Sequence, residues 1–313
     1  MPLTARAAFA DAWERLCPGP DRVGLAVSGG PDSLALLLLA HDTLGPDRLA
    51  VATVDHGLRA QSADEAAHVA RLCAARGLAH ATLTLAMAPG TAVQERARAE
   101  RYRALAAWCR AHDLAALVTA HHADDQAETV VMRLNRGAGL RGLAGMRPRA
   151  VVPGDTLPLL RPLLGLRRAA LLAVVAEARI AAVDDLSNRD PRHERVRVRQ
   201  GLATAPWLDP AGFAASAGHL AQADAALDWA ADRVCADMVG PVIDFAPDLP
   251  RALALRVLER VIARLGGTVP RGRDLARWHD RLAAGEIATL AGVRGDGRGA
   301  TWQFAAAPAH KTR

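Results

Sequence analysis

The chain has 313 residues, 51% of them hydrophobic, with 39 lysines and arginines against 33 aspartates and glutamates. That length and composition supply a packed core and two or three domains, while no apolar run approaches the roughly 20 residues of a membrane span. The net charge of +6, carried almost wholly by arginine because Lys311 is the only lysine, favours a polyanionic partner. Cys17, Cys73, Cys109 and Cys235 are scattered, which argues against a zinc knot or a thiol relay and suits a reducing cytoplasm. Phe9, Trp13 and Leu16 share one helical face beside Asp11 and Glu14. The spacing predicts a short amphipathic helix rather than the unbroken apolar core of a secretion signal.

The pattern then alternates. Val23 to Val27 reads as a buried strand, Ser28-Gly29-Gly30-Pro31-Asp32-Ser33 as a tight turn, and Leu34 to Ala40 as an apolar helix. Such a strand–glycine turn–helix unit aims backbone N–H groups and a helix dipole at one point, which suits a phosphate. The turn lacks the lysine of a Walker loop. Leu49 to Asp55 forms a second strand ending in Asp55-His56-Gly57, and Ser62 with Glu65 caps a helix to about Arg76. His80 to Leu85 is a third strand, Ala92 to His112 a long helix, and Ala115 to Ala120 a fourth strand running into His121, His122, Asp124, Asp125 and Glu128. Alternating strands and helices predict an α/β fold with a doubly wound, mostly parallel sheet. In such sheets ligands bind at the carboxyl ends of the strands, where every one of these polar clusters falls. The acidic cluster can hold Mg²⁺, bind an ammonium group, or serve as acid and base.

From Glu128 to Asp155 the chain carries Arg133, Arg136, Arg141, Arg147 and Arg149 among glycines, with no acidic residue between. It reads as a flexible cationic loop that contacts a phosphate backbone. Arg192, Arg195, Arg197 and Arg199 make a second cationic ladder, offset by Glu194. Beyond residue 208 the pattern is mainly helical, around 213–238, 249–265 and 273–284, with a hairpin over 289–304 about Gly295-Asp296-Gly297. The expected division is a catalytic domain, 1–208, and a smaller helical domain, 209–313. Arg251, Arg256, Arg260, Arg264, Arg271 and Arg273 of the latter are available for RNA, though each alone reads as a surface charge.

Ser28 to Ser33 resembles the pyrophosphate loop of N-type ATP pyrophosphatases, the PP-loop superfamily. With Val54 to Arg59, Ala97-Arg98 and Arg101-Tyr102, His121 to Met146, Pro158 to Leu164, Asp185 to Asn188 and Arg195 to Arg199, the chain resembles the tRNA(Ile)-lysidine synthase family over roughly residues 20–200. One departure is Val196, where the family carries asparagine. The resemblance implies an adenine nucleotide alpha hydrolase-like sheet, ATP and Mg²⁺ as cofactors, and ligation of free L-lysine to tRNA(Ile) with a CAU anticodon, in the cytoplasm and away from membranes. A homodimer stays open.

The implied roles follow residue by residue. Ser28, Gly29, Gly30, Pro31 and Ser33, with Asp55 and His56, hold the nucleotide, and Asp32 holds Mg²⁺. Asp125 and Glu128 hold lysine with His121 nearby, and Arg195 or Arg197 stabilises the adenylate. Arg98, Arg133, Arg136, Arg141 and Arg199 bind tRNA. Two competing readings are a phosphoesterase with two metals on Asp55, His56, His121, His122, Asp124 and Asp125, and a sulfur-inserting tRNA enzyme, which would need cysteines near the site.

Overall fold

The computed structural model describes residues 3–17, 19, 21–55, 62–85, 93–183 and 192–308. His56 to Arg59, Asp185 to Asn188 and the Ser62 side chain of the expected cap lie outside the described residues. The chain forms two compact units, Met1–Ala221 and Gln222–Arg313. The division between these units falls inside a long helix.

In the first unit the order is α1 (Leu3–Leu16), β1 (Val23–Ala26), α2 (Pro31–Leu44), β2 (Leu49–Asp55), α3 (Ser62–Ala74), β3 (Ala79–Thr84), α4 (Val93–Ala111), β4 (Leu117–Val118), α5 (Ala123–Asn135), α6 (Leu140–Leu143), β5 (Arg149–Val151), β6 (Pro158–Leu160), α7 (Arg168–Glu177) and α8 (Glu194–Ala203). Helix α9 (Pro210–Val234) follows. The strands make one six-stranded sheet, β3-β2-β1-β4-β6-β5, parallel except where β5 pairs antiparallel with β6. The order runs outward from β1 in both directions, so the helices cover both faces.

Alternation along the strands sorts the core. Val23, Leu25, Leu49 and Val51 pack with α1, α2 and α7 on one face. Ala50, Ala52, Leu117 and Leu159 pack with Tyr102, Leu105 and Cys109 of α4 on the other. Gly24 lets α4 approach, since a Cβ there would lie 2.5 Å from the Trp108 ring. Helix α2 is buried from Ser33 to Ala40, which explains its unbroken apolar sequence. Pro31 opens it, where the missing N–H costs nothing.

The second unit contains α10 (Arg251–Arg264) and α11 (Gly272–Ala283) packed with four antiparallel strands, β7 (Val242–Phe245), β8 (Ile287–Leu290), β9 (Val293–Asp296) and β10 (Trp302–Ala306), in the order β7-β10-β9-β8. The hairpin expected about Gly295-Asp296-Gly297 is therefore two of four strands. The sheet's tightest turn lies at Ala291-Gly292, both with positive φ, as a two-residue hairpin loop demands. No helix among the described residues is long and apolar enough to cross a membrane.

Candidate active site

The β1–α2 turn is fixed by its own hydroxyls. Ser33 Oγ donates to the Gly30 carbonyl at 2.9 Å and accepts from the Ser28 N–H at 3.1 Å. Gly29 has φ 86°, the left-handed region that favours glycine. Gly30 caps α2 in extended conformation without a side-chain bond, so the first-turn N–H groups face outward as an anion cradle. The Val183 N–H donates to the Gly29 carbonyl at 3.0 Å and steadies the turn from outside.

Asp32 follows in the first turn of α2. Its Oδ2 lies 3.6 Å from His122 Nε2, which is also 3.5 Å from Asp125 Oδ2. His122 Nδ1 accepts the Asp125 N–H, and Asp125 accepts the His122 N–H, so the imidazole caps α5 with its other edge. One histidine thus joins the glycine turn to the acidic segment. Burial disfavours the charged ring, but the bond to Asp32 and the carboxylates of Asp125, Asp32 and Asp124 outweigh it and raise the His122 pKa. Burial likewise opposes ionisation of Asp32, and His122 and Arg168 reverse that, holding its pKa below the usual value.

His121 points elsewhere, with Nδ1 2.9 Å from Thr119 Oγ1. Burial first, then the charges of Arg161, Arg195, Arg98 and Arg101, pull its pKa down to about 3. It is a neutral imidazole at pH 7, suited to hydrogen bonding rather than to carrying a proton. The arginines beside it are themselves constrained. The guanidinium groups of Arg98 and Arg101 lie 5.1 and 5.7 Å from the Tyr102 ring centre. Arg161 is buried, its Nη1 on the Arg147 carbonyl and its Nε without a hydrogen-bond partner among the described residues.

Glu128 is 2% exposed. Arg195 Nε reaches its Oε2 at 2.7 Å and Arg199 Nε its Oε1 at 2.6 Å, both from α8. Arg195 also lies 3.5 Å from Asp125 Oδ1. Asp124 accepts from Arg167 and from the Arg168 N–H, and Arg168 Nε is 3.4 Å from Asp32 Oδ1. Asp55 closes β2, beside β1 at the same end of the sheet.

The stretch from Glu128 to Asp155 is not a flexible loop. It is folded as the end of α5, α6 and β5. Arg133 donates to the Gly142 and Gly145 carbonyls at 2.6 and 3.1 Å, while Gln126 exchanges two hydrogen bonds with the Met146 backbone. A Cβ on Gly145 would collide with that amide. Arg136 pairs with Glu194, Arg141 stands on α6, and Arg197 donates to the Arg192 carbonyl at 3.0 Å. Of the C-terminal arginines, Arg256 pairs with Asp224 and Asp228, Arg260 with Asp228 and Asp232, and Arg251 with Asp280. Arg264 donates to the carbonyls of Cys235 and Met238. These four act within their own unit.

Sequence reasoning missed His122 as the bridge, Gln126 as the loop anchor, and Arg161, Arg167 and Arg168. Two cations opening α7 oppose its dipole, a local inconsistency that marks them as answering to something else. Among the described residues, no group of three or more histidine, cysteine, aspartate or glutamate side chains is arranged to hold a metal. The four cysteines are free and buried. Burial pushes the Cys73 thiol up to about 11 and that of Cys109 to about 12, unsuited to sulfur relay.

A parallel sheet whose first strand delivers a Ser-Gly-Gly-Pro-Asp-Ser turn onto a helix N-terminus defines a PP-loop protein, and the PP-loop domain family matches residues 5–205. The tRNA(Ile)-lysidine synthase of Novosphingobium aromaticivorans is 59% identical, covering 98% of this chain and 95% of the relative. That of Zymomonas mobilis is 41% identical, covering 94% and 91%. The chain belongs to the tRNA(Ile)-lysidine synthase family, ATP-binding enzymes that modify tRNA. The fold is shared with the U34-tRNA thiolase NcsA of Methanococcus maripaludis, solved with its 4Fe-4S cluster, at TM-score 0.54 and 15% identity over 69% of this chain and 76% of that one.

Proposed function

We propose that the enzyme joins free L-lysine to C2 of the anticodon-first cytidine of tRNA(Ile) with a CAU anticodon, in the cytoplasm, through an adenylated tRNA and with release of pyrophosphate and AMP. The observation that carries this reading is the His122 bridge, which puts Asp32 of the phosphate turn and Asp125 of the acidic segment on one imidazole. A nucleotide tail and an amine then share one site.

Ser28, Gly29, Gly30, Pro31 and Ser33 cradle the departing pyrophosphate, and Asp55 faces the nucleotide, with His56 assigned to it by the family resemblance alone. The cytidine O2 attacks the α-phosphorus and the bond to pyrophosphate breaks. The ε-amine of lysine next attacks C2, the C2–O2 bond breaks, and AMP leaves with that oxygen. Asp125 and Glu128 attract the ammonium, and Asp125 accepts its proton. Neutral His121 offers a hydrogen bond, and Arg101 with the buried Arg161 suits the amino-acid carboxylate. Arg195 or Arg197 offsets charge on the adenylate. Arg98, Arg136, Arg141 and Arg199 meet tRNA phosphates, with Arg133 holding the segment that presents them.

Mg²⁺ fits the donor set. A carboxylate in the first turn of α2, beside a phosphate cradle, is the kind of oxygen donor a hard cation sharing substrate phosphates takes. Bound there it would neutralise charge on the leaving pyrophosphate.

The test is labelled lysine with ATP–Mg²⁺ and tRNA(Ile) transcript. Label in the tRNA, with AMP and pyrophosphate formed, is the expected result, and Asp32→Ala abolishes AMP formation without unfolding the chain. Phosphate-ester hydrolysis without lysine transfer would instead favour the phosphoesterase reading.

A further inference from the structure

Four of the six tryptophans are buried, whereas Trp207 is 81% exposed. Exposure on this scale is unusual for the largest apolar side chain. Trp207 lies in the turn between α8 and α9, closed by the Leu208 N–H on the Ala205 carbonyl at 2.9 Å. Two residues on, Asp209 accepts Arg167 Nη1 at 3.1 Å, and the same guanidinium holds Asp124 beside the phosphate turn. Chain geometry keeps the Trp207 Cα within about 7.6 Å of the Asp209 Cα. The chain at Trp207 is therefore tied, through Asp209 and Arg167, to Asp124 of the acidic segment. On its N-terminal side α8 brings Arg195, Arg197 and Arg199, and its one carboxylate, Glu194, is paired with Arg136.

An exposed indole at the end of a cationic helix combines the two elements that hold single-stranded nucleic acid, a stacking plane and a phosphate-seeking groove. Lifting a cytidine out of the anticodon loop strips its neighbour of one stacking face. We propose that Trp207 is a positioning residue that stacks on an unpaired anticodon-loop base next to the target cytidine, an inference that rests on the tRNA reading above. Stacking ignores base identity, so Trp207 fixes the loop's placement and leaves the choice of base to the pocket.

The test uses the full chain with Trp207→Ala and Trp207→Phe. Both fold, because the residue buries almost nothing, and matched thermal melts check this. The Ala variant is expected to raise the KM for tRNA(Ile) transcript about tenfold, with the KM for ATP and the kcat at saturating tRNA held, and Phe to restore most of the loss. Tryptophan fluorescence quenched by tRNA in the wild-type chain is expected to be largely lost in Trp207→Phe. A wild type that transfers lysine while Trp207→Ala keeps its tRNA KM and its quenching would overturn the stacking role. So would a change in sedimentation in place of a change in KM, which would assign Trp207 to a contact between copies. A wild type whose tryptophans are quenched by tRNA but which transfers no lysine would sink the proposed function and leave the stack standing.

Discussion

Arg195 Nε lies 2.7 Å from Oε2 of Glu128, a carboxylate only 2% exposed. Arg199 occupies the other oxygen, Arg167 holds Asp124, and Arg168 holds Asp32. Each carboxylate that would receive an ammonium or a divalent cation already has an arginine, while nucleotide and tRNA phosphates compete for those same arginines. Anionic substrates should therefore unmask the site for cationic ones. Lysine titrated calorimetrically into the free enzyme is expected to bind about tenfold more weakly than in the presence of a non-hydrolysable ATP analogue and tRNA. Equal affinities would show that the arginines do not stand in its way.

Removing the buried charge tests the same clamp from the other side. Glu128→Gln leaves Arg195 and Arg199 to share the Asp125 carboxylate, 3.5 and 4.0 Å away, in place of the buried one. Breaking a fully buried pair costs about 3–5 kcal/mol. Here the two arginine side chains are 37% and 35% exposed, so water screens part of the loss and about 1–3 kcal/mol is expected from urea denaturation. Lysine transfer should fall more steeply than stability, and a fully active variant would remove Glu128 from the site.

The Asp32–His122 contact carries a pH signature. The His122 pKa is raised from 6.5, so its stabilisation is complete below that value and is lost as pH rises through the raised one. The Asp32 pKa is lowered from 3.8, so its share is complete above that value and is lost as pH falls through the lowered one. Both are present between 3.8 and 6.5. In metal-free buffer, the gap in melting temperature between wild type and His122→Gln should be widest there and narrow toward alkaline pH. A gap unchanged from about pH 5 to about pH 8 would detach His122 from these carboxylates.

The sheet and the polar strand ends were legible because both depend on local pattern. Alternation and helical spacing place β1, β2 and α4 within a residue or two, and carboxyl-end clustering points to Asp32 and Asp125, which His122 joins. Partners across the chain were not legible. Nothing local distinguishes Arg133, which turns back onto Gly142 and Gly145, from an arginine facing a phosphate. β5 and β6 span three residues each, too short for periodicity to register. The three-strand meander after α11 read as one hairpin because Ala291-Gly292 is a less conspicuous turn than Gly295-Asp296-Gly297.

The second unit supplies the last prediction. Arg256, Arg260 and Arg264 repeat every fourth residue along α10, and Asp224, Asp228 and Asp232 repeat likewise along α9, so both sets project from one helical stripe. Arg256 and Asp224 are 7% and 3% exposed and bond each other directly, so neither charge has water to fall back on. Arg256→Met takes the guanidinium from the buried Asp224 carboxylate and should cost about 3–5 kcal/mol. Adding Asp224→Leu replaces the pair with apolar volume and should recover most of that loss, since a buried pair returns little beyond its own desolvation. Urea denaturation of the two single variants and the double variant gives the coupling directly. If Arg256 instead met tRNA, the single variant would keep its stability and lose RNA affinity, and the double would recover nothing.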